Sequence, residues 1–288
     1  KDFRSKFQND LSSSPDSSFV REALGKGLLS QDRQSINPLK FGVIASTDTH
    51  LGTPGAVDES SFQGHGGAGK SFRSSIPEGL PDDIEFNPGG LAVAWAEENS
   101  RSAIFDAFQR KEVYGTSGPR FIVRFFVGDN LDKNLCNNPD NISYAYANAT
   151  PMGGTIASDS LSQPSIFISA SADSSIKDQF IEKLQVVKGV VRNGELLTTV
   201  HDVGVTNAQS KLDIDNCEVT GSGEKAMCSV WNDPNFNSSE NAYYYVRVVA
   251  NKSCRWSHNL CLQNPEYCEA DSDASIPKVI QERAWTSP

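Results

Sequence analysis

The spacing of apolar and polar residues predicts alternating helices and strands over the first 120 residues. Apolar residues recur at helical spacing over residues 16–32, and a second helical pattern ends near Lys111. Short apolar runs at residues 41–45 and 91–96 predict strands, and a stretch rich in Gly, Ser and Pro at residues 52–90 predicts a long loop. This order of elements is typical of an α/β barrel or a doubly wound sheet.

The pattern changes to short strands after residue 120. Five runs have the apolar or alternating character of strands, at residues 121–127, 165–171, 184–190, 196–203 and 243–249. Asn193-Gly194, between the third and fourth runs, is a strong hairpin signal. This part therefore predicts an antiparallel β-sandwich. The fold class predicted for the whole chain is α/β plus β, with one domain over residues 1–120 and a cysteine-containing β-rich domain over residues 121–288.

The cysteines indicate the compartment in which the protein works. All six lie in the predicted β-domain, at Cys136, Cys217, Cys228, Cys254, Cys261 and Cys268. An even number in one region predicts three disulfides and an extracytoplasmic protein, either periplasmic or secreted. Zinc binding is the alternative, although no close Cys-x-x-Cys pair is present. The spacing leaves the pairing open, and we expect Cys217–Cys228 and Cys254–Cys261 as local loops, which leaves Cys136–Cys268.

Charge and hydropathy narrow the classes of partner. The formal net charge of -10 at pH 7 argues against nucleic acid or an anionic membrane surface as the main partner. No apolar run approaches the ~20 residues of a membrane-spanning helix, so no membrane span is predicted. Sequons that permit glycosylation in a eukaryotic source occur at Asn141, Asn148, Asn237 and Asn251. Such tripeptides are also common by chance in a chain rich in Ser and Asn.

The first candidate site follows the predicted strand at residues 41–45, where the sequence reads Ser-Thr-Asp-Thr-His. Residues i and i+2 of an extended chain point to the same side, so Asp48 and His50 are expected to present a carboxylate and an imidazole together. These groups bind divalent transition metals such as zinc, manganese or iron, and a bound metal lowers the pKa of water to ~7. The alternative is a polar strand end with two exposed side chains, since Asp-x-His is common by chance.

Two further residues are candidates for contact with a substrate. His65 lies in the Gly-rich loop, which is expected to cover the site, and can serve as a substrate-binding or proton-transfer group; a solvated loop histidine is the alternative. Arg120 can hold an anionic substrate oxygen with two parallel hydrogen bonds. A structural ion pair is the alternative for Arg120.

Three stretches carry a resemblance to a known family: FGVIASTDTHLGTPGAV, NPGGLAVAWAEENSRSAIFDAFQRKEVYGTSGPR, and the ending CRWSHNLC…PKVIQERAWTSP. With them the chain resembles DUF3604, a large, mainly bacterial family of unknown function. That family in turn resembles the polymerase-and-histidinol-phosphatase (PHP) superfamily of metal-dependent hydrolases. In the superfamily a late strand of a distorted α/β barrel ends in Asp-x-His, which supplies metal ligands. The resemblance implies that residues 1–120 form the C-terminal part of such a barrel and that Asp48 and His50 are metal ligands.

The sequence departs from this superfamily in its histidines. The superfamily has an early His-x-His motif and further His and Glu ligands, whereas this sequence has four histidines, His50, His65, His201 and His258, and no His-x-His. We therefore expect this chain to be the C-terminal portion of a longer enzyme. A missing N-terminal segment or a partner chain is expected to complete the barrel and its metal site.

These observations support two hypotheses about function. The first is a metal-dependent hydrolase that acts on a small anionic substrate, a phosphoester or a related anionic ester, with Asp48 and His50 as ligands and with Arg120 and His65 at the substrate. The second is a non-catalytic extracytoplasmic binding or structural subunit built on the cysteine-containing β-domain. The missing His-x-His motif favours the second hypothesis, and the resemblance favours the first.

Overall fold

A computed structural model describes residues 19–65, 75–77, 84, 86–207, 210–268 and 277–288. Within these residues the α-helices are α1 (Val20–Gln34), α2 (Arg101–Gln109), α3 (Asn141–Asn148) and α4 (Trp256–Gln263). The strands are β1 (Leu91–Ala94), β2 (Val113–Thr116), β3 (Ile122–Asp129), β4 (Thr150–Pro151), β5 (Pro164–Ser171), β6 (Ile181–Arg192), β7 (Glu195–Val205), β8 (Lys211–Asp213), β9 (Glu218–Thr220), β10 (Ala226–Asn232), β11 (Ala242–Cys254) and β12 (Val279–Thr286).

The strands form two larger antiparallel sheets and a small hairpin. The six-stranded sheet has the order β1-β2-β12-β11-β6-β7, the four-stranded sheet has the order β10-β5-β3-β4, and β8 pairs with β9. The five strands predicted after residue 120 correspond to β3, β5, β6, β7 and β11. The β6–β7 hairpin turns at Asn193 and Gly194, whose positive φ angles of 53° and 77° suit a tight hairpin turn. The predicted antiparallel, disulfide-containing β-structure is confirmed.

The main hydrophobic core lies between the two larger sheets. Alternate residues of β3 and β5 on one side, and of β6, β11 and β12 on the other, are fully buried: Val123, Phe125, Ile166, Ile168, Ile181, Leu184, Val186, Val246, Val248 and Ala284. Core-facing residues at about every second position are the pattern expected for sandwich strands. A second cluster lies on the outer face of the four-stranded sheet, where Phe126 and Phe167 pack against Leu135 and Ala145.

The helix predicted over residues 16–32 is present as α1 from Val20, whereas residues 16–18 lie outside the described residues; α1 covers part of the outer face of the six-stranded sheet. Leu24 and Leu28 of α1 pack against Val191 of β6 and Tyr243 of β11. Among the described residues, none of the helices has the length and apolar character needed to cross a bilayer. The three disulfides are consistent with an extracytoplasmic compartment.

The first 120 residues differ from their prediction. The strand predicted at residues 41–45 is wrong, because this segment forms no strand and instead contacts Gly115 of β2 and Ser287. The apolar run at residues 91–96 does give β1, but β1 pairs with β2 in the antiparallel direction, whereas the strands of a barrel or a doubly wound sheet are parallel. Since β2 also pairs with β12, both strands extend the sheet of the β-rich part. A domain boundary near residue 120 stays a prediction.

The expected disulfide pairing is wrong, although the number of disulfides is right. The bonds are Cys136–Cys228, Cys217–Cys254 and Cys261–Cys268. Cys228 lies two residues before Val230 on β10, so both point to the same side of the four-stranded sheet, and both Val230 and Cys136 pack on the outer cluster there. Long-range packing, rather than short sequence separation, therefore decides this pair.

One sequon lies at a position that a glycan cannot occupy in this fold. Asn251 is buried in β11, and its side-chain amide donates to the Asp178 carbonyl and accepts from the Phe180 amide. Asn148 and Asn237 are exposed. Glycosylation at the exposed positions stays a prediction.

Candidate functional site

The side chains of Asp48 and His50 lie next to each other on the surface. The Nε2 atom of His50 is 3.9 Å from Oδ1 of Asp48, and the two side chains are 53% and 91% exposed. Asp48 has a positive φ of 56°, so the backbone bends there. The two side chains come together at this bend, whereas the prediction assumed an extended strand. The backbone amide of His50 donates to the carbonyl of His65 at 2.9 Å, which joins this bend to the Gly-rich loop.

The segment that leads to this bend is fixed to the six-stranded sheet. The amide of Val43 donates to Oγ of Ser287 (2.9 Å), and the amide of Gly90 donates to the carbonyl of Ser46 (2.8 Å). Gly115 of β2 allows the close approach, because a Cβ atom there would lie 2.8 Å from the backbone nitrogen of Ala45. Residues 41–46 are therefore positioned by contacts to β2 and to the residues that follow β12.

A cleft of about 990 Å³ lies beside the bend. Thr49 and Leu51, on either side of His50 in the sequence, line this cleft together with His65 and Arg120. The structure thus brings the two predicted substrate-contacting residues to one cleft, whereas Asp48 and His50 are not among its lining residues. The other walls come from residues 173–179, the start of β9 and the end of β11.

His65 lies in the wall of the cleft, not in solvent. It is only 5% exposed, and its ring meets those of Phe62 and Phe86 edge-on at centroid distances of 5.2 and 5.9 Å. Its Nε2 atom lies 3.0 Å from the carbonyl oxygen of Asn87. A carbonyl oxygen only accepts, so this bond places a ring proton on Nε2. The solvated loop histidine considered as the alternative does not match this burial.

Arg120 is exposed, and its backbone is fixed by a buried carboxylate. The amide of Arg120 donates to Oδ2 of Asp173 at 2.7 Å, and Ser175 donates to Oδ1 of the same side chain through its amide and its hydroxyl. Burial alone would raise the pKa of the Asp173 carboxyl, but the hydrogen bonds from Ser175 and Arg120 outweigh burial and hold this pKa below its usual range. Asp173 therefore stays ionised and fixes the base of the Arg120 side chain.

A buried glutamate in the cleft wall was not predicted from the sequence. Glu282 accepts a hydrogen bond from the hydroxyl of Ser117, and the amide of Arg283 donates to the same hydroxyl at 2.8 Å. Glu282 occupies the core-facing series of β12, between Ile280 and Ala284. A carboxylate at an apolar register position of a strand is the sequence signal that points to such a group, since burial of a charge requires polar partners.

Helix α4 holds the loop that carries His65. The indole Nε1 of Trp256 donates to the carbonyl of Phe86 (2.8 Å), and the amide of Trp256 donates to Oε2 of Glu59 (2.7 Å). The side chain of Asn259 donates to the carbonyl of Glu59. The CRWSHNL stretch noted in the sequence therefore holds this part of the cleft wall in place through hydrogen bonds.

The described lining of the cleft carries more negative than positive side chains. The carboxylates belong to Asp58, Glu59, Asp173, Asp178, Glu218 and Glu282, whereas the cationic side chains in the described lining belong to Arg120 and Lys177. Within this lining, Arg120 and Lys177 are the side chains whose charge attracts an anionic group.

Among the described residues, one group of three side chains is close enough together to hold a metal ion. This group consists of Cys217, Cys254 and His258, whose ligand atoms lie within 4.8 Å of one another. Asp48 and His50 have no third such partner in the described part of the chain.

Comparison with known proteins identifies a family. The chain matches the model of a family described as "Protein of unknown function (DUF3604)" over residues 2–288. The chain belongs to the DUF3604 family. No curated protein and no solved structure gives a significant match to this DUF3604 chain.

Proposed function

We propose that this DUF3604 chain supplies two ligands, Asp48 and His50, to the metal site of a hydrolase that acts on a phosphoester or a related anionic ester. The proposal rests on one observation: the two side chains lie 3.9 Å apart, both exposed, beside a cleft of about 990 Å³. The expected relation to the PHP-like metal-dependent hydrolases, and the barrel that goes with it, belong to this proposal.

The donor atoms fit a small divalent cation. Ligand bonds to zinc are about 2.1 Å long for both imidazole nitrogen and carboxylate oxygen, so two ligands of one ion lie at most about 4.2 Å apart. The 3.9 Å between Nε2 of His50 and Oδ1 of Asp48 is within this limit. Carboxylate oxygen and imidazole nitrogen together suit zinc, manganese or iron.

The roles of the remaining residues follow from where they lie. A bound divalent cation would supply an activated water at neutral pH. The exposed guanidinium of Arg120, on a backbone fixed by Asp173, binds the anionic oxygens of the ester in the cleft. His65, with Nε2 bonded to the carbonyl of Asn87, fixes the loop against the bend through the bond from the amide of His50 to its own carbonyl. We also propose that His65 acts directly on the substrate, as a substrate-binding or proton-transfer group.

Further ligands must come from outside the described pair, because two ligands do not hold a catalytic metal firmly. We assign them to an additional segment of the same polypeptide or to a partner chain that completes the site. The exposure of Asp48 and His50 supports this assignment, because both donor atoms remain accessible to such a segment.

The test measures bound metal in the full-length protein purified without chelator. Asp48→Asn and His50→Gln are each expected to lower zinc, manganese or iron content severalfold, and to reduce hydrolysis of a chromogenic phosphoester in parallel. Asp106→Asn, on an exposed position of α2, and His201→Gln, on β7, are matched controls that keep both properties. Equal metal content in all five proteins contradicts the proposal and supports the non-catalytic alternative.

A further inference from the structure

Cys217, Cys254 and His258 form a group of potential metal ligands that is distinct from the Asp48 and His50 pair. Cys217 precedes β9, Cys254 ends β11, and His258 lies in the first turn of α4. The two sulfur atoms are joined as a disulfide, and the sulfur and imidazole donor atoms are all within 4.8 Å of one another. Two sulfurs and an imidazole are the ligand types that zinc prefers.

One ring nitrogen of His258 is hydrogen-bonded to a backbone carbonyl. Its Nε2 atom lies 2.6 Å from the carbonyl oxygen of Ile214, and this bond places the ring proton on Nε2. Nδ1 then carries the lone pair of the neutral ring. Ligating histidines commonly donate their second ring N–H to a backbone carbonyl in this way, which fixes the tautomer and the orientation of the ring.

The position of the disulfide allows a reductant to reach it. Cys217 is partly exposed and lines the cleft with Cys254, whereas His258 is buried. Cys217 also has a positive φ of 59°, a backbone conformation that is unfavourable for a residue with a Cβ atom. Opening the bond removes a covalent restraint that holds Cys217 in this conformation.

We propose that reduction of Cys217–Cys254 converts this group into a site for a single Zn²⁺, with two thiolates and the His258 imidazole as ligands. A dithiol reductant attacks one sulfur of the bond, and the other leaves as a thiol. The second thiol of the reductant then releases the first, so that two cysteine thiols and one oxidised reductant result. Zinc binding displaces the two thiol protons. In the disulfide form the sulfurs carry no charge and do not bind the ion.

A Cys₂His donor set leaves the fourth position of a tetrahedral zinc to water or to a ligand. Because Cys217 and Cys254 line the cleft, that position is expected to be accessible from it. The ligands of this site share no residue with the Asp48 and His50 pair. The two proposals therefore stand or fall separately.

The test compares zinc uptake before and after reduction. The full chain is reduced with a phosphine, which becomes the phosphine oxide with water as the oxygen source, and is then desalted without oxygen and given Zn²⁺ or Co²⁺. Reduced protein is expected to retain one more zinc per chain than oxidised protein, and to show a thiolate-to-cobalt charge-transfer band that oxidised protein lacks. Zinc is also expected to protect Cys217 and Cys254 from alkylation, as mapped by mass spectrometry.

Variants separate this site from other sources of zinc. Cys217→Ser combined with Cys254→Ser is expected to abolish reduction-dependent binding, and His258→Gln is expected to weaken it about tenfold or more. Cys261→Ser with Cys268→Ser, and Asp48→Asn, are controls that retain it. The proposal is overturned by equal uptake in the oxidised and reduced chains, by uptake that survives loss of both cysteines, or by loss of the near-UV circular dichroism on reduction.

Discussion

The ammonium group of Lys188 lies 2.6 Å from Oδ2 of Asp233, and the two side chains are 5% and 0% exposed. Lys188 on β6 also donates to the carbonyl of Asn235, and the hydroxyl of Tyr244 donates to the same Asp233 oxygen at 2.6 Å. The protein thus supplies several hydrogen-bond partners to this buried charge pair. Loss of one partner leaves the other as an uncompensated buried charge.

The first prediction follows from this ion pair. Lys188→Met is expected to lower the free energy of unfolding by about 3 kcal/mol, because Asp233 then stays buried without its cation. Lys183→Met, at the exposed pair Lys183–Asp202, is the matched control and is expected to cost less than about 1 kcal/mol. Urea unfolding at neutral pH measures both, and similar losses in the two variants contradict the argument.

The second prediction concerns acid stability. Burial alone would raise the pKa of the Asp233 carboxyl, but hydrogen bonds from Lys188 and Tyr244 outweigh burial and hold this pKa below its usual range. The folded protein therefore binds this proton less readily than the unfolded chain. The contribution of Asp233 to stability is full above its unfolded pKa of about 3.9 and is lost as the pH falls through the lower folded pKa.

Asp233→Asn is expected to make the free energy of unfolding depend less on pH in acid. Its free energy of unfolding should fall less steeply between about pH 5 and about pH 2 than that of the wild type, although it is lower at neutral pH. Urea titrations at a series of pH values give the slopes. A variant that loses stability with acid as steeply as the wild type would show that other carboxylates dominate.

The third prediction compares two disulfides. Cys136–Cys228 joins residues separated by 92 positions, and Cys261–Cys268 joins residues separated by 7. From loop-closure entropy, replacing the first cysteine pair by serine is expected to lower the free energy of unfolding by about 4–5 kcal/mol, and replacing the second pair by about 2 kcal/mol. Thermal unfolding of the two double variants is expected to rank them in this order, and the reverse order contradicts the entropic argument.

The fourth prediction tests how the Asp48 and His50 segment is held. In Gly115→Ala the new Cβ atom would meet the backbone of Ile44 and Ala45 at 2.9 and 2.8 Å, so residues 41–50 must move. Faster hydrogen exchange at the amides of this segment is expected, with weaker metal binding if the proposed function holds. Gly204→Ala is the control, since its Cβ would meet side-chain atoms at 3.2 Å or more. Unchanged exchange in Gly115→Ala contradicts this account.

The sequence predicts the sandwich strands well because their packing is periodic. In β3 and β5, alternate residues enter the core, and this repeat is visible without any structure. Strand β12 escapes the prediction because Glu282 interrupts its apolar series. The segment at residues 41–45 misleads for the opposite reason: Phe41 packs against the cluster on the outer face of the sheet and Ile44 is exposed, but the segment does not pair as a strand. Apolar character reports burial, but it does not report the hydrogen-bond partner.

The candidate site is harder to predict from the sequence than the strands are, because it depends on contacts between distant parts of the chain. The spacing of Asp48 and His50 predicts that they are neighbours, but the left-handed backbone at Asp48 is not encoded in a pattern of residue types. The burial of His65 results from Phe86 and from the loop held by Trp256. Cys217 meets Cys254 because the β8–β9 hairpin lies near the end of β11, which no local spacing indicates.

The position of β12 has a consequence for biosynthesis. This strand lies between β11 and β2 in the six-stranded sheet, so residues 279–286 join two parts of the sheet that do not pair directly. While a ribosome still holds these residues, β2 and β11 each present an open edge, and such edges invite pairing with other nascent chains. A premature stop codon upstream of β12 should therefore yield an aggregating product, because the edges of β2 and β11 then stay unpaired.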